Sequence, residues 1–382
     1  MPQYSVPASV YRGGTSRGIY FQAKDLPKDQ AERTRVFLHG IDAWNLSQVD
    51  GLGAGTSHTS KCVVVAPSER EGIHVDYTFI QVGIGKQIAD AKGTCGNLMA
   101  GAAAFAIDEG LVPVEKGEAA KTVVLYDTNA RKNLSITVPL TEDGKAATQG
   151  DYLLPGLIRP GALVKVEILN PGGGKTGKSL PLGPLIDLST PHGTYTVTIT
   201  DMINPFVFVD ATDVGLTGAD SFASLSADAE KLEVLNSIRD AATVALGWAT
   251  TPEAAREKTP SVPKVAIVGA PQNYEATSGG VIAADGVDIV ARCLSMGRLH
   301  RTFPASGLYC LAGTCLLPDT VPNRFARKPG PGREHTVRLG HPDGAVEVRV
   351  RRTEDSQDIE AVGMDRSARR IMRGELFIPT AK

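Results

Sequence analysis

Two segments of this chain are apolar on nearly every side and built largely from small residues. One lies in GTCGNLMAGAAAFAIDEGLV, where the pattern predicts a helix over 96–109. The other lies in PASGLYCLAGTCLLPDTV, with a predicted helix over 306–317. A helix with no polar face must be buried. Its Ala and Gly side chains require surrounding backbone to approach closely, and a curved sheet wrapped around each helix meets both demands. Each helix also follows a loop in which a small nucleophilic residue precedes glycine, Cys95-Gly96 in the first and Ser306-Gly307 in the second. This reads as a weak internal duplication into two lobes.

The remaining pattern is mainly β. Alternating or β-branched runs predict strands over 62–66, 75–82, 122–126, 134–140, 163–169, 194–200, 206–210, 265–268, 336–339, 345–350 and 375–378. One amphipathic surface helix is predicted over 228–246, with Leu232, Leu235, Ile238, Ala242 and Ala245 on one face. Strands joined by turns with few helices indicate an α+β protein rather than a doubly wound sheet. The expected boundary lies in the Gly/Pro-rich stretch 172–191. It gives an N-terminal lobe over 1–185 and a C-terminal lobe over 186–382, with the final strand free to pack back on the first lobe.

Apolar residues make up 42% of the 382-residue chain and charged residues 21%, which suits a well-packed body and argues against general disorder. A net charge of −2 without a long basic block disfavours nucleic acid as a partner. A short basic run, Arg366, Arg369, Arg370 and Arg373, has helical spacing and reads as a solvated helix face. The five cysteines are odd in number and form no CxxC pair, so a disulfide framework or structural zinc site is not expected. No histidine spacing suggests a metal site. Neither a leader-like N-terminus nor a membrane-length apolar window is present, so the expectation is a cytoplasmic protein. A homodimer is expected on general grounds.

One formal motif is rejected. Residues 172–179 match the phosphate-loop pattern GxxxxGK[ST], which works only when a helix starts at its end. Here Pro181 and Pro184 follow, and Pro184 would sit inside that helix at a cost of about 3 kcal/mol. A flexible Gly-rich turn is the better reading.

Four places could carry chemistry. Cys95 precedes a predicted helix, whose positive end and free amides favour thiolate; it could equally be a small buried hydrophobe. Lys61, in HTSKCVVV, stands beside a buried-looking strand, where desolvation can turn a lysine into a base; it could also be a strand-end lysine reaching water. The N-terminal YRGGTSRG combines exposed amides, Thr15, Ser16, Arg12 and Arg17, which suits carboxylate binding, or is an ordinary hairpin. A second polar cluster, SMGRLHR, holds Ser295, Met296, Arg298 and His300 ahead of the second apolar helix.

With these residues in view, the chain resembles the PrpF family. The similarity runs in order through VYRGGTSRGIYF (10–21), TSHTSKCVVV (56–65), GTCGNLMAGAAAFAIDEGLV (93–112), GGGKTGKSLPLG (172–183), INPFVFVDATDVGLTG (203–218), PKVAIVGAP (263–271), SMGRLHRTFPASG (295–307), HPDGAVEV (341–348) and RSARRIMRGELFIP (366–379). The family includes 2-methylaconitate isomerases, 3-methylitaconate Δ-isomerases and 4-oxalomesaconate tautomerases. The resemblance implies a diaminopimelate-epimerase-like fold of two pseudo-symmetric lobes with the site between them. It also implies a cofactor-free isomerase that shifts a C=C bond in a small unsaturated di- or tricarboxylate. The proton-handling pair falls on Lys61 and Cys95. The substrate-gripping set is then Arg12, Gly14, Thr15, Ser16, Ser60, Gly96 and Asn97 in the first lobe. Ser295, Met296, Arg298, His300, Ser306 and Gly307 complete it in the second.

The related epimerases place a cysteine at the start of each central helix. Ser306 stands at the second position here, and a hydroxyl is far less acidic than a thiol. That disfavours a racemase or epimerase, while a non-catalytic carboxylate-binding protein would not need both Lys61 and Cys95. Arg17 departs from the lysine that many relatives carry there.

Overall fold

The computed structural model describes residues 2–380 except 92, 155, 260 and 296. The chain begins with strands β1 (Gln3–Gly13) and β2 (Ser16–Gln22), helix α1 (Gln30–Ile41), and strands β3 (Lys61–Pro67), β4 (Val75–Val82) and β5 (Ala89–Asp90). Helix α2 (Gly96–Asp108) precedes β6 (Ala120–Asp127), β7 (Lys132–Pro139) and β8 (Val164–Leu169). Then come β9 (Ile186–Thr190), β10 (Gly193–Met202) and β11 (Asn204–Asp210), followed by helices α3 (Phe222–Ala227), α4 (Ala229–Ala245) and α5 (Pro252–Lys258). Strands β12 (Lys264–Gly269), β13 (Tyr274–Glu275), β14 (Val281–Ile282), β15 (Ile289–Ser295) and β16 (Arg298–Leu299) lead to helices α6 (Ala305–Cys315) and α7 (Val321–Phe325). The chain closes with β17 (Glu334–His341), β18 (Gly344–Arg352), β19 (Ile359–Arg366) and β20 (Ala368–Pro379).

Two compact units result, Met1–Leu169 with Met364–Lys382, and Asn170–Gly363. In the first, β1 pairs antiparallel with both β2 and β20. Strand β2 runs parallel to β3, β3 antiparallel to β4, and β4 parallel to β6, which continues antiparallel through β7 to β8. Helix α2 is buried without interruption from Leu98 to Ile107 and packs on β1, β2, β3, β7, β8 and β20. Alanine and glycine make that approach possible: a Cβ on Gly101 would lie 2.3 Å from the Tyr20 hydroxyl. The opposite face of the sheet carries Val6, Ile19, Phe21, Cys62, Val64, Ile80 and Ile378 against Val36, Phe37 and Ile41 of α1.

The second unit repeats this order internally. Strand β10 is antiparallel to β11, β11 parallel to β12, β12 antiparallel to β15, and β15 parallel to β17, which continues antiparallel through β18 to β19. Helix α6 is buried from Gly307 to Cys315 and packs on β10, β11, β17 and β18. The other face packs on α4 through Val207, Val209, Val265, Ile267, Leu235 and Ile238. The apolar character of both central helices follows from this enclosure.

Two expectations need correction. The division falls at 169/170, not at 185/186, because the Gly-rich turn 172–179 is bonded to Asp201 of β10 and so belongs with the second unit. The basic run is not a helix face. Arg369, Arg370 and Arg373 lie on β20, where Val10 pairs with Met372 but Tyr11 pairs with Arg370. The extra residue, Ile371, is a bulge that shifts strand parity. Arg370 and Arg373 therefore reach the same partner, Glu109, at 3.2 and 3.0 Å, and their spacing imitates that of a helix. No helix among the described residues is long and apolar enough to cross a membrane.

Candidate active site

Strand alternation sends Cys62 and Val64 into the α1 core and leaves Lys61, Val63 and Val65 on the α2 side. Lys61 is buried, 8% exposed. Its Nζ donates to Gln81 Oε1 at 2.7 Å and lies 4.8 Å from the centre of the Phe79 ring. Gln81 faces Lys61 across the β3–β4 ladder. The Gln81 amide nitrogen donates to the carbonyls of Ser60 (2.8 Å) and Ser57 (3.1 Å), so its oxygen is left facing the ammonium. Among the described residues no carboxylate pairs with Lys61.

Cys95 is the N-cap of α2, in extended conformation, with no side-chain capping bond. It is half-buried, whereas Cys62, Cys293, Cys310 and Cys315 are fully enclosed. Burial pushes the Cys293 thiol up to about 12 and the other three enclosed thiols higher still. None of those four can supply a thiolate at neutral pH.

The backbone at Cys95 is fixed from two sides. The Tyr77 hydroxyl donates to the Cys95 carbonyl at 3.2 Å, and the Thr94 hydroxyl donates to Asp127 Oδ2 at 2.5 Å. The other Asp127 oxygen accepts the amides of Asn129 and Ala130 at 2.9 and 3.0 Å. Burial raises the Asp127 carboxyl above the usual range, and these donors work against that rise. Burial also holds the Tyr77 phenol well above its ordinary value, so it remains a donor. Tyr77, Phe79 and Gln81 alternate along β4 and so share a face. That face holds the Cys95 carbonyl at one end and the Lys61 ammonium at the other.

The β1–β2 turn meets the first turn of α2. Gly14 has φ +55°, and a Cβ there would stand 2.3 Å from Asn97 Oδ1. Asn97 Nδ2 donates to Thr15 Oγ1 at 3.1 Å and to Ser16 Oγ at 3.4 Å. Among the described residues the Gly96 and Asn97 amides find no acceptor, as is usual in a first helical turn. Two expected substrate contacts have internal partners instead. Arg12 Nη1 donates to the carbonyls of Gly14 and Ser367, both at 2.8 Å. The buried Ser60 hydroxyl lies 2.8 Å from Gln48 Oε1 and 2.7 Å from the Thr56 carbonyl. Arg17 Nη2 donates to the Leu52 carbonyl at 3.0 Å.

The other expected residues belong to the second unit, and Met296 lies outside the described residues. Ser295 pairs with the exposed Arg298 across the β15–β16 bridge. His300 Nδ1 accepts the Thr302 amide at 3.2 Å, and burial lowers the ring below its ordinary value. Ser306 lies in the first turn of α6, whose N-cap is Pro304, so it does not occupy the N-cap position that Cys95 holds in α2. Gly307 is needed for packing, since a Cβ there would meet the Phe206 ring at 2.5 Å.

The rejected phosphate loop has a different purpose. The Lys175 and Thr176 amides, at 2.7 Å each, and the Thr176 hydroxyl, at 2.9 Å, all bond Asp201 Oδ2. The turn thus wraps a carboxylate of its own unit, and residues 180–185 directly after Ser179 are turn and loop leading into β9, not a helix. Gln81, Tyr77, Asp127 and Asp201 were not foreseen in the sequence. The only available signal was the alternation of Tyr77, Phe79 and Gln81 in YTFIQV.

A family model described as PrpF protein matches residues 3–379. This chain belongs to the PrpF family. Among PrpF relatives, the 3-methylitaconate isomerase of Eubacterium barkeri is 37% identical, over 100% of this chain and 99% of its own. The 2-methyl-aconitate isomerase of Shewanella oneidensis is 34% identical over 99% and 98%. The crystal structure of a methylitaconate-delta-isomerase matches with a TM-score of 0.92 at 36% identity, over 99% of this chain and 96% of that one. The mixed fold of this PrpF protein, with few helices, is the fold of that isomerase.

Proposed function

We propose that this chain is an isomerase that moves a C=C bond within a small unsaturated di- or tricarboxylate, with Lys61 and Cys95 as its proton-handling pair. The observation that carries the reading is the shared β4 face. Tyr77 fixes the backbone of the one half-buried thiol, and Gln81 fixes a buried ammonium that has no carboxylate partner among the described residues. The names of the PrpF relatives, isomerases of 3-methylitaconate and 2-methyl-aconitate, support the reaction class.

In the proposed reaction, one of the pair takes a proton from the allylic carbon. The electron pair shifts into the adjoining double bond and the carboxylate conjugated with it. The other residue delivers a proton to the far end of the allyl system. One proton leaves and one enters, so the product is an isomer and nothing is oxidised. Free amides at Gly96 and Asn97 suit the charge that builds on the carboxylate, as oriented donors do for any developing oxyanion.

Proton NMR in D₂O tests this, with a panel of methylitaconate, 2-methylaconitate, aconitate and oxalomesaconate and with Cys95→Ser as control. The expected result is new vinyl or methylene signals with deuterium at the product carbon, absent with Cys95→Ser. A panel left unchanged by wild-type protein, or full turnover by Cys95→Ser, would overturn the reading.

A further inference from the structure

The internal repeat carries a second lysine. Lys61 is the first residue of β3, and Lys264 is the first residue of β12, the strand in the same place in the second unit. The registers agree. Ile19 of β2 pairs in parallel with Cys62, which sets Lys61 beside Gly18, the third residue of β2. Lys264 pairs with Phe206, the third residue of β11. Val265 and Ile267 point into the α4 core, so alternation puts Lys264 on the α6 side, as it puts Lys61 on the α2 side. The neighbouring helix turn corresponds as well: Gly18 lies against Leu98 in the first turn of α2, and Phe206 against Gly307 in the first turn of α6.

The surroundings of the two lysines differ in a telling way. Gln81 faces Lys61 across its ladder, whereas Leu294 pairs with Val265, so the next residue along, Ser295, falls beside Lys264. No cysteine stands at the N-cap of α6, which is Pro304, as Cys95 stands at that of α2. The second unit therefore keeps the cation and lacks both its amide acceptor and the thiol. That ammonium is half-buried, and the acceptor it finds is the Ser261 carbonyl at 2.9 Å. The nearby Cys293 thiol is held up to about 12 by burial and brings no negative charge at neutral pH. The other groups near it bring no negative charge: Lys175 is an exposed lysine, and His300 is an imidazole held below its ordinary value by burial first and by Lys264 as well. Among the described residues no carboxylate forms an ion pair with Lys264. A half-buried cation among basic groups is costly unless an anion joins it.

We propose that Lys264 binds a carboxylate of a polycarboxylate ligand, with Lys175 and His300 beside it, and takes no part in moving protons. This rests on the proposed function for the identity of the ligand, and it assigns to the GKTGK turn the placing of Lys175.

The test uses the full chain and a non-reacting probe, propane-1,2,3-tricarboxylate, whose binding is followed by calorimetry in wild type, Lys264→Gln, Lys264→Arg and Cys95→Ser. Expected is a dissociation constant raised tenfold or more in Lys264→Gln, mostly restored in Lys264→Arg and unchanged in Cys95→Ser. A wild type that does not bind the probe, or a folded Lys264→Gln that binds it like wild type, would overturn the assignment. Probe binding that depends on Lys264 in a protein that isomerises nothing would support the assignment and remove the proposed reaction instead.

Discussion

Gln81 Oε1 sits 2.7 Å from Lys61 Nζ while the Gln81 amide nitrogen is held by the Ser60 and Ser57 carbonyls. The amide cannot turn without losing both bonds, so the acceptor facing the lysine is fixed. Because it is neutral, it orients the ammonium without locking its proton in an ion pair. Replacement by Gln81→Leu leaves a buried charge without its acceptor, a loss of about 1.5–3 kcal/mol for a hydrogen bond to a charged group. We expect kcat to fall at least tenfold with a smaller change in KM, and the unfolding temperature to drop. Steady-state kinetics beside a thermal melt checks this; wild-type kcat in a folded Gln81→Leu protein would show that Lys61 needs no such support.

Exposure singles out one thiol. Cys95 is half-buried and the other four cysteines are enclosed, and thiolate reactivity requires both access and ionisation. Iodoacetamide on native protein should therefore add one carbamidomethyl group, mapped by peptide mass to Cys95, with activity lost in step. The remaining four should react only after denaturation. Rapid labelling at a second cysteine, or full activity after labelling of Cys95, would contradict this.

The β1–β2 turn, packed on the start of α2, allows no side chain at Gly14. Its φ of +55° disfavours any L-residue with a Cβ, by about 1–2 kcal/mol, and that Cβ would stand 2.3 Å from Asn97 Oδ1. Gly14→Ala should lose stability of that order and push the Asn97 amide off Thr15 and Ser16. Denaturant unfolding should show the loss, and KM should rise more than kcat falls. An unchanged KM would separate Asn97 from substrate binding.

Much of the fold was legible because its signals are local. Runs such as Val75–Val82 alternate with a period of two, and the central helices announce their burial by lacking a polar face. What stayed hidden depends on pairing between distant segments. Gln81 matters because the ladder sets it opposite Lys61, and Asp127 because β6 ends beside the loop that carries Thr94. Neither relation leaves a trace in its own neighbourhood. The Arg370–Arg373 spacing misled for a related reason: a single bulge at Ile371 changes which residues share a face. Lys61, Cys95 and Asn97 were legible as candidates, while the internal bonds of Arg12 and Ser60 emerged only with the hairpin and loop in place.

His341, the last residue of β17, gives the fold an acid-sensitive point. Burial is the main cause that lowers its ring from the ordinary 6.5 to about 4; Arg292 and His300 push the same way and Asp343 opposes them. The depressed value means that the folded chain refuses a proton that the unfolded chain accepts. Above pH 6.5 both states are neutral at this site and its contribution is complete. Between pH 6.5 and about 4 the unfolded state gains protons and stability declines; below that window both states are charged and no more is lost here. The shift corresponds to about 3 kcal/mol at 1.36 kcal/mol per unit. Urea unfolding of wild type and His341→Gln at pH 7 and pH 4 isolates this contribution from the carboxylates, which both proteins share. His341→Gln should lose less stability than wild type over that interval, by an amount of that order. Equal losses would mean that the ring takes its proton in the fold without penalty.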